Sequence, residues 1–194
     1  THGVTIDEIA YHARCVRSGL KTSILMVDLP KNSYNTKLKA YKNSHMFISS
    51  RLADLIKIEI DTNNLDIAKY LIKKNIPLCA HIGLLPQTIK SKSGYRRYGK
   101  SKQEAKQLYD LAVSLDELGA QVILIECLDN SLARKISQNC SSPVIGIGSG
   151  IGIDGQVAVI YDLLGISFNK IDTFFINDKR TLDRQITKFI KKLK

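Results

Sequence analysis

Residues 54–59, DLIKIE, form a strand-like apolar run that carries two charged side chains, Lys57 and Glu59, at its end. Short apolar runs rich in β-branched residues are typical of buried strands. Three further runs have the same form, with an ionisable residue where the strand would end: SILMVD (23–28), PLCAH (77–81) and QVILIE (121–126). Active sites of (βα)8 barrels lie at the carboxyl ends of the strands, so this repeated pattern predicts a polar site there.

Helical segments separate the strand-like runs. Thr5 with Glu8 makes a capping-box pattern at the start of one helix, and Ser101 with Glu104 marks the start of another. Glycines near the ends of both segments predict their termination. Strands that alternate with helices predict an α/β fold with a parallel sheet, and we expect a (βα)8 TIM barrel. About six strands can be counted, the last of them an ambiguous apolar run at 157–161.

The composition is that of one globular domain spanning residues 1–194. Hydrophobic residues make up 44% of the chain, and no run of about 18 apolar residues predicts a membrane span. The first residues are polar and do not resemble a signal peptide. The four cysteines form no close pair and no zinc-like cluster. These features predict a reduced protein of the cytoplasm with no membrane partner.

The net charge of +11 raises the question of a nucleic-acid partner. Basic residues concentrate at 90–102, where they alternate with tyrosines, and at 188–194, on a predicted helix over 182–193. No nucleic-acid-binding motif accompanies them, so we expect no nucleic-acid partner. The polar stretch at 86–100 lacks helical periodicity and has the length of a functional loop or a disordered one.

Three weaker signals carry less information. Residues 150–155 fit the GxGxxG pattern, but a dinucleotide-binding turn should join the first strand and helix of a βαβ unit, and this stretch comes late in the chain. His12 and His45 lie in predicted helices, where surface or packing roles are expected. None of these is interpreted as a ligand site.

The residues at the strand ends suit one kind of chemistry. Asp28 and Glu59 come from neighbouring strands and suit a hard cation such as Mg²⁺, which keeps sites free for water and substrate oxygens. A more distant carboxylate, Glu126, is free to act as a general base. Lys57 and His81 supply a cation and a hydrogen-bonding ring for a substrate carboxylate or a developing oxyanion. The set predicts proton abstraction next to a metal-chelated carbonyl.

The sequence closely resembles the ketopantoate hydroxymethyltransferase family. The resemblance rests on stretches that occur in the family's order between about Val4 and Ser167, and the part from Phe168 onwards matches poorly. These stretches are VTIDEIAYHARCVRSG (4–19), DLP (28–30), IKIE (56–59), PLCAHIGLLPQ (77–87), SGYRRYGK (93–100), LIEC (124–127), PVIGIGSG (143–150) and DGQVAVIYDLLGIS (154–167).

The resemblance implies a (βα)8 barrel of the phosphoenolpyruvate/pyruvate superfamily that assembles as a large homo-oligomer. It also implies transfer of a hydroxymethyl group from 5,10-methylenetetrahydrofolate to 3-methyl-2-oxobutanoate, which gives 2-dehydropantoate for pantothenate and coenzyme A synthesis. The implied cofactor is Mg²⁺, and the implied partners are the small 2-oxo acid and the folate.

The resemblance also implies a role for each strand-end residue. Asp28 matches a position that binds magnesium and substrate, and Glu59 matches a magnesium-binding position. Lys57 matches a contact to the keto acid, and His81 matches a histidine near the substrate oxygen. Glu126 matches the proton acceptor.

The sequence departs from the family pattern in ways that leave alternatives open. Two strands and an Asp-Ser pair precede the first matching stretch in the family, and the chain begins at Thr1, so we expect an N-terminally incomplete barrel. Lys31, Ile60 and Asp61 replace an apolar residue and two glycines, and Tyr161 replaces a histidine. Another Mg-dependent 2-oxo-acid lyase of the same superfamily, or a degenerate remnant without activity, are the alternatives. An incomplete barrel is expected to associate through its exposed edge strand and to show little activity.

Overall fold

The structure is a computed structural model that describes residues 3–89 and 95–161. The predicted helix over 182–193 and the basic tail therefore lie outside the described residues. The described elements, in chain order, are α1 (Ile6–Gly19), β1 (Met26–Asp28), α2 (Lys37–Ser49), β2 (Leu55–Glu59), α3 (Leu65–Lys73), β3 (Leu78–Gly83), α4 (Lys102–Leu118), β4 (Val122–Glu126), α5 (Asn130–Asn139), β5 (Val144–Ile147) and β6 (Gly155–Gln156).

These strands form one parallel sheet in the order β1-β2-β3-β4-β5-β6. The predicted alternation of strand and helix and the parallel sheet are confirmed. The sheet is open within the described residues, with β1 and β6 at its edges. It is consistent with part of a TIM barrel, and a (βα)8 barrel whose first two strands are missing from this chain stays a prediction.

The sequence left the apolar run at 157–161 ambiguous between strand and helix. The sixth strand is Gly155–Gln156 and not the apolar run at 157–161, whose last two residues begin a helix. Val157 donates its backbone N–H to the carbonyl of Gly146 at 3.0 Å and then leaves the sheet. Apolar periodicity could not place β6, because Gly155 and Gln156 pair with β5 while the more hydrophobic residues after them are exposed.

The helix termini follow the capping chemistry of the sequence. Thr5 and Glu8 make the reciprocal capping box, and the Ser101 hydroxyl accepts from the backbone N–H of Glu104. Gly119 ends α4 in the left-handed conformation, with φ of 93°, as the sequence predicts. Gly19 is instead the last residue of its helix, and Leu20 follows as the cap.

Successive strand residues point to opposite faces of the sheet, so each strand has two roles. One face, which we call the helix face, packs against the helices in the main core. The strand residues of this face are almost fully buried: Ile56, Ile58, Leu78, Ala80, Ile82, Ile123, Ile125 and Val144. The opposite face, which we call the inner face, carries a smaller apolar cluster of Leu55, Cys79, Leu124 and Ile147 with Met26 and Val122. The candidate site residues lie on this inner face.

Candidate active site

The strand register brings the predicted site residues together at the carboxyl end of the inner face. Asp28 of β1 is the register partner of Lys57 of β2, and Glu59 of β2 is the register partner of His81 of β3. Glu126 ends β4, the next strand of the sheet. All five have the strand parity of the inner apolar cluster, so their side chains point away from the helices. The predicted convergence is therefore what the structure shows.

Asp28 and Lys57 form an ion pair that faces the inner side of the sheet. The Lys57 Nζ lies 2.9 Å from Asp28 Oδ1, and both side chains are partly shielded from solvent. Asp28 Oδ1 is buried and makes no hydrogen bond, because the angle of its contact with the Lys57 ammonium is unfavourable. Asp28 therefore keeps an acceptor position available for a cation or for a donor on a bound ligand.

His81 and Glu126 form the second pair of the site. His81 Nε2 lies 3.2 Å from Glu126 Oε2, and the imidazole is almost completely buried. Burial lowers the pKa of His81, against the opposing influence of the Glu126 carboxylate, so the ring is neutral at neutral pH. Neither ring nitrogen makes a hydrogen bond within the part of the chain that the structure describes. Buried polar atoms without partners mark places where a ligand or water is expected.

Glu59 is the most deeply placed carboxylate of the set, with 3% of its surface exposed. Burial raises its pKa to about 7, and the negative charges of Asp28 and Glu126 act in the same direction. The backbone N–H of Gln87 and the Lys57 ammonium oppose this shift. Both carboxylate oxygens of Glu59 accept from the Gln87 N–H, at 2.9 and 3.1 Å, which fixes the orientation of the carboxylate.

Gln87 and Tyr34 belong to the site although the sequence analysis did not single them out. Gln87 donates through Nε2 to the carbonyl of Leu29 just beyond β1, at 2.9 Å. The Tyr34 hydroxyl donates to Gln87 Oε1, also at 2.9 Å, and both side chains are buried. The network ties the loop after β3 to the loop after β1 and holds Glu59 between them. Gln87 lies in the PLCAHIGLLPQ stretch, which is the signal that could have drawn attention to it.

The backbone around Glu126 is unusually constrained. Cys127 adopts a positive φ of 53°, which is uncommon for a residue other than glycine and tends to occur at functional sites. On the neighbouring strand, Gly83 has φ of 96°, and a Cβ there would collide with the Leu128 side chain and the Glu126 carbonyl. Leu84 donates its backbone N–H to that same carbonyl at 2.9 Å. This close approach of β3 and β4 positions His81 and Glu126 side by side.

The donor set fits a magnesium ion. Asp28, Glu59 and Glu126 bring three carboxyl groups to a region with a single ammonium group, that of Lys57, among the predicted site residues. Among the described residues, no three His, Cys, Asp or Glu side chains enclose a common point. Mg²⁺ does not need such a cage, because it commonly takes one or two carboxylates and completes its shell with water and substrate oxygens. Asp28 and Glu59 are the two carboxylates that would hold it.

The basic loop contributes to packing between elements. The Arg96 guanidinium pairs with Glu104 and stacks on the Tyr98 ring, with 4.1 Å between the guanidinium carbon and the ring centroid. Arg97 donates to the carbonyl oxygens of Leu128 and Gly148, at 3.0 and 3.2 Å. Two cations of the stretch that raised the nucleic-acid question are therefore engaged within the fold. Residues 90–94 of this stretch lie outside the described residues.

The remaining sequence signals have structural roles. The GxGxxG stretch at 150–155 connects β5 directly to β6 with no intervening helix among the described elements, so it lacks the context of a dinucleotide site. His45 stacks on Tyr41 and His12 packs edge-on against Tyr11, both on exposed helix surfaces. No helix of the described residues has the length and hydrophobicity needed to cross a bilayer.

A parallel α/β sheet with paired acidic and basic groups at its carboxyl ends defines an enzyme-like half-barrel. The solved structure of FabK from Thermotoga maritima shares this fold, with a TM-score of 0.50 and 12% sequence identity. That comparison covers 80% of this chain and 47% of the other. Because the sequence identity is only 12%, the comparison supports the fold and not a function.

Sequence comparison identifies the family. The family model described as ketopantoate hydroxymethyltransferase matches residues 1–194. The 3-methyl-2-oxobutanoate hydroxymethyltransferase of Aliivibrio fischeri MJ11 is 39% identical over 190 residues, which cover 96% of this chain and 72% of that protein. The enzyme of the same name from Shewanella sediminis is 40% identical over 174 residues, covering 90% and 66%. The chain belongs to the ketopantoate hydroxymethyltransferase family. The family model also covers residues 168–194, where little resemblance was recognised from the sequence alone.

Proposed function

We propose that the chain transfers a hydroxymethyl group from 5,10-methylenetetrahydrofolate to 3-methyl-2-oxobutanoate and so forms 2-dehydropantoate for pantothenate and coenzyme A synthesis. The observation that carries this proposal is the convergence of Asp28, Lys57, Glu59, His81 and Glu126 on one end of the inner face, in a member of this family. A cytoplasmic location, a large homo-oligomer and membership of the phosphoenolpyruvate/pyruvate superfamily belong to the proposal on the strength of the resemblance.

Lys57 and Asp28 bind and orient the keto acid in this proposal. The Lys57 ammonium is positioned to pair with the substrate carboxylate while it retains its contact with Asp28. Nε2 of the neutral His81 ring lies beside Glu126, and neither ring nitrogen has a hydrogen-bond partner among the described residues. The ring is positioned to donate a hydrogen bond to a substrate oxygen. A buried neutral donor stabilises negative charge that develops on that oxygen during the reaction.

Glu126 accepts the proton from C3 of the substrate. Its carboxylate lies beside His81, which limits the directions from which a C–H group can approach. The strained backbone at Cys127 and the close approach of Gly83 fix this carboxylate relative to β3. The carbon that has lost its proton forms a bond to the folate methylene carbon, and water supplies the hydroxyl oxygen as the two carbon–nitrogen bonds to the folate break. The two released nitrogens take up two protons, one equivalent to the C3 proton held by Glu126 and one from the water, which gives tetrahydrofolate.

Asp28 and Glu59 would hold Mg²⁺, which supplies Lewis acidity that makes the C3 proton easier to remove. Glu59 has a pKa of about 7 in the metal-free protein, so it carries a proton much of the time near neutral pH. A nearby cation favours the ionised carboxylate. Magnesium binding is therefore expected to release a proton from Glu59 and to tighten as the pH rises from 6 to 8, around that pKa of about 7.

The direct test is turnover by the purified full-length protein. Incubation with 3-methyl-2-oxobutanoate, 5,10-methylenetetrahydrofolate and MgCl₂ should produce 2-dehydropantoate and tetrahydrofolate in equal amounts, detected by mass spectrometry. Omission of magnesium, with a chelator present, should abolish the product. Cleavage of a different 2-oxo acid without use of the folate would instead favour the lyase alternative, and failure of both reactions would favour the inactive remnant.

A further inference from the structure

The backbone directly after Glu126 leaves β4 in a strained conformation. Cys127 takes a positive φ of 53°, which costs free energy in a residue that carries a side chain. Such a conformation persists only where the surrounding structure holds it, so the bonds to residues 126–129 decide whether the Glu126 carboxylate keeps its position. Two of these bonds come from neighbouring backbone: the Glu126 carbonyl accepts from the loop after β3, and the Cys127 N–H donates to β5, both at 2.9 Å.

A second set of bonds comes from the segment that precedes α4. Tyr98 and Leu128 form a parallel bridge outside the six strands. The Tyr98 N–H donates to the Cys127 carbonyl, and the Tyr98 carbonyl accepts from the Asp129 N–H, both at 2.8 Å. This segment therefore bonds the backbone on both sides of Leu128.

Two side chains bond Leu128 itself and join it to β4 and to the loop after β5. The Arg97 guanidinium donates through Nη1 to the carbonyls of Leu128 and Gly148, at 3.0 and 3.2 Å. The buried hydroxyl of Ser149 accepts from the Leu128 N–H at 3.1 Å and donates to the Ile125 carbonyl at 2.9 Å. Arg97 and Ser149 thus bond both polar backbone groups of Leu128, the second residue after the proposed general base.

The segment that carries Arg97 is itself anchored to α4. The neighbouring Arg96 pairs with the carboxylate of Glu104, in the first turn of that helix. The Gly99 N–H donates to the same carboxylate at 2.7 Å. Bonded groups therefore run without a break from α4 through Arg97 to the backbone that follows Glu126.

We propose that Arg97 and Ser149 are positioning residues for the general base Glu126, an inference that rests on the proposed function and adds two groups that contact neither substrate in that mechanism. They hold the strained Cys127 backbone, so that the Glu126 carboxylate stays beside His81 and within reach of the C3 proton. A shift of about 1 Å in a reacting group can cost about 100-fold in rate. Loss of either side chain should therefore slow proton removal without weakening the keto acid site on β1 and β2.

The test is exchange of the C3 hydrogen of 3-methyl-2-oxobutanoate with deuterated solvent, followed by NMR on the full-length protein with Mg²⁺ and without folate. Arg97→Met keeps an unbranched side chain but removes its donors, and it should lower kcat for exchange about 10- to 100-fold with little change in KM. Arg97→Lys keeps a cationic donor and should recover part of the loss. Arg134→Met is the matched control, because the Arg134 guanidinium donates to the Ile151 carbonyl at 3.0 Å, between β5 and β6, and this variant should exchange at the unsubstituted rate.

Ser149→Ala should lower kcat in the same way and decides the question if Arg97→Met does not fold. All variants are assayed well below their unfolding temperatures, so a purely structural role would lower those temperatures and leave kcat unchanged. Unchanged kcat in the folded Arg97 and Ser149 variants, a rise in KM at unchanged kcat, or an equal loss in Arg134→Met would overturn the inference while the proposed function stands. Absence of exchange in the unsubstituted full-length protein would instead contradict the proposed function, and the inference with it.

Discussion

The helix face and the inner face of the sheet are built from alternate residues of the same strands, yet they differ in composition. On β2, Ile56 and Ile58 are fully buried against the helices, whereas Lys57 and Glu59 point to the inner face. The helix face is uniformly apolar along the strand. The inner face changes character along the strand, from the apolar Leu55 to the charged residues at the carboxyl end. The buried apolar packing is therefore concentrated on one face, and the residues of the proposed active site lie at one end of the other.

A pair of adjacent substitutions tests this division most strongly. Ile58→Ala should lower the free energy of unfolding by about 2–5 kcal/mol, because a fully buried side chain leaves a cavity in the main core. Glu59→Gln should leave stability at pH 8 unchanged or raise it, because the ionised carboxylate is buried at a cost and has a pKa of about 7. Urea unfolding at pH 8 measures both.

The sign for Glu59 follows from its raised pKa. The folded state binds a proton more tightly than the unfolded state, so this group lowers stability as the pH rises from about 4.5 to about 7. Glu59→Gln should remove that part of the pH dependence. A loss of several kcal/mol in the glutamine variant would contradict the division of roles between the two faces.

The second test concerns the edge strand of the site. Asp28→Asn should weaken binding of Mg²⁺ and of 3-methyl-2-oxobutanoate together, each by about tenfold or more, because one carboxylate serves both. Titration calorimetry measures each ligand separately. Asp54→Asn is the control, since Asp54 precedes β2 at the opposite end of the sheet and pairs with Arg17. Normal magnesium affinity in the Asp28 variant would remove Asp28 from the metal site.

The third test concerns the network that positions Glu59. Gln87→Ala removes the buried hydrogen bonds to Leu29 and Tyr34 and should cost about 1–3 kcal/mol of stability, and it should also raise the magnesium concentration needed for half-maximal activity. Tyr34→Phe removes one of these bonds and should cost about 0.5–1.5 kcal/mol. A purely structural role would lower stability in both variants without changing the magnesium dependence.

The smallest effect is expected far from the inner face. The Arg96 guanidinium lowers the pKa of Glu104, and the backbone N–H of Gly99 acts in the same direction. The stabilisation is present above the ordinary pKa and is lost as the pH falls through the lowered one. Glu104→Gln should therefore be less stable than the unsubstituted protein at pH 7, by less than about 1 kcal/mol, and equally stable near pH 3. Thermal unfolding at the two pH values measures this, and a difference that grows at pH 3 would contradict it.

Much of this arrangement could be predicted from the sequence, because period-two alternation and strand-end charges are local signals. Asp28, Lys57, Glu59, His81 and Glu126 were found in this way, and the structure places them on one face. The roles of Gln87 and Tyr34 could not be predicted, since they depend on the approach of two loops that are distant in sequence.

The contacts of the basic stretch at 90–102 could not be predicted from the sequence either. Its composition raised the question of an anionic partner without deciding it, and the structure shows that Arg96 and Arg97 contact α4 and the loops after β4 and β5. Sequence spacing cannot reveal that a charged side chain will reach carbonyl oxygens contributed by residues far along the chain. The position of β6 was not predicted for a related reason, because backbone pairing and not side-chain hydrophobicity decides it.

The central claim is that the inner face removes a proton from the keto acid by way of Glu126. The most direct measurement is exchange of the C3 hydrogen of 3-methyl-2-oxobutanoate with deuterated solvent, followed by NMR in the presence of Mg²⁺ and without folate. The unsubstituted full-length protein should catalyse this exchange, and Glu126→Gln in that protein should slow it about 100- to 10,000-fold while keto acid binding is largely retained. Undiminished exchange in the glutamine variant would contradict the account and assign the proton to another residue.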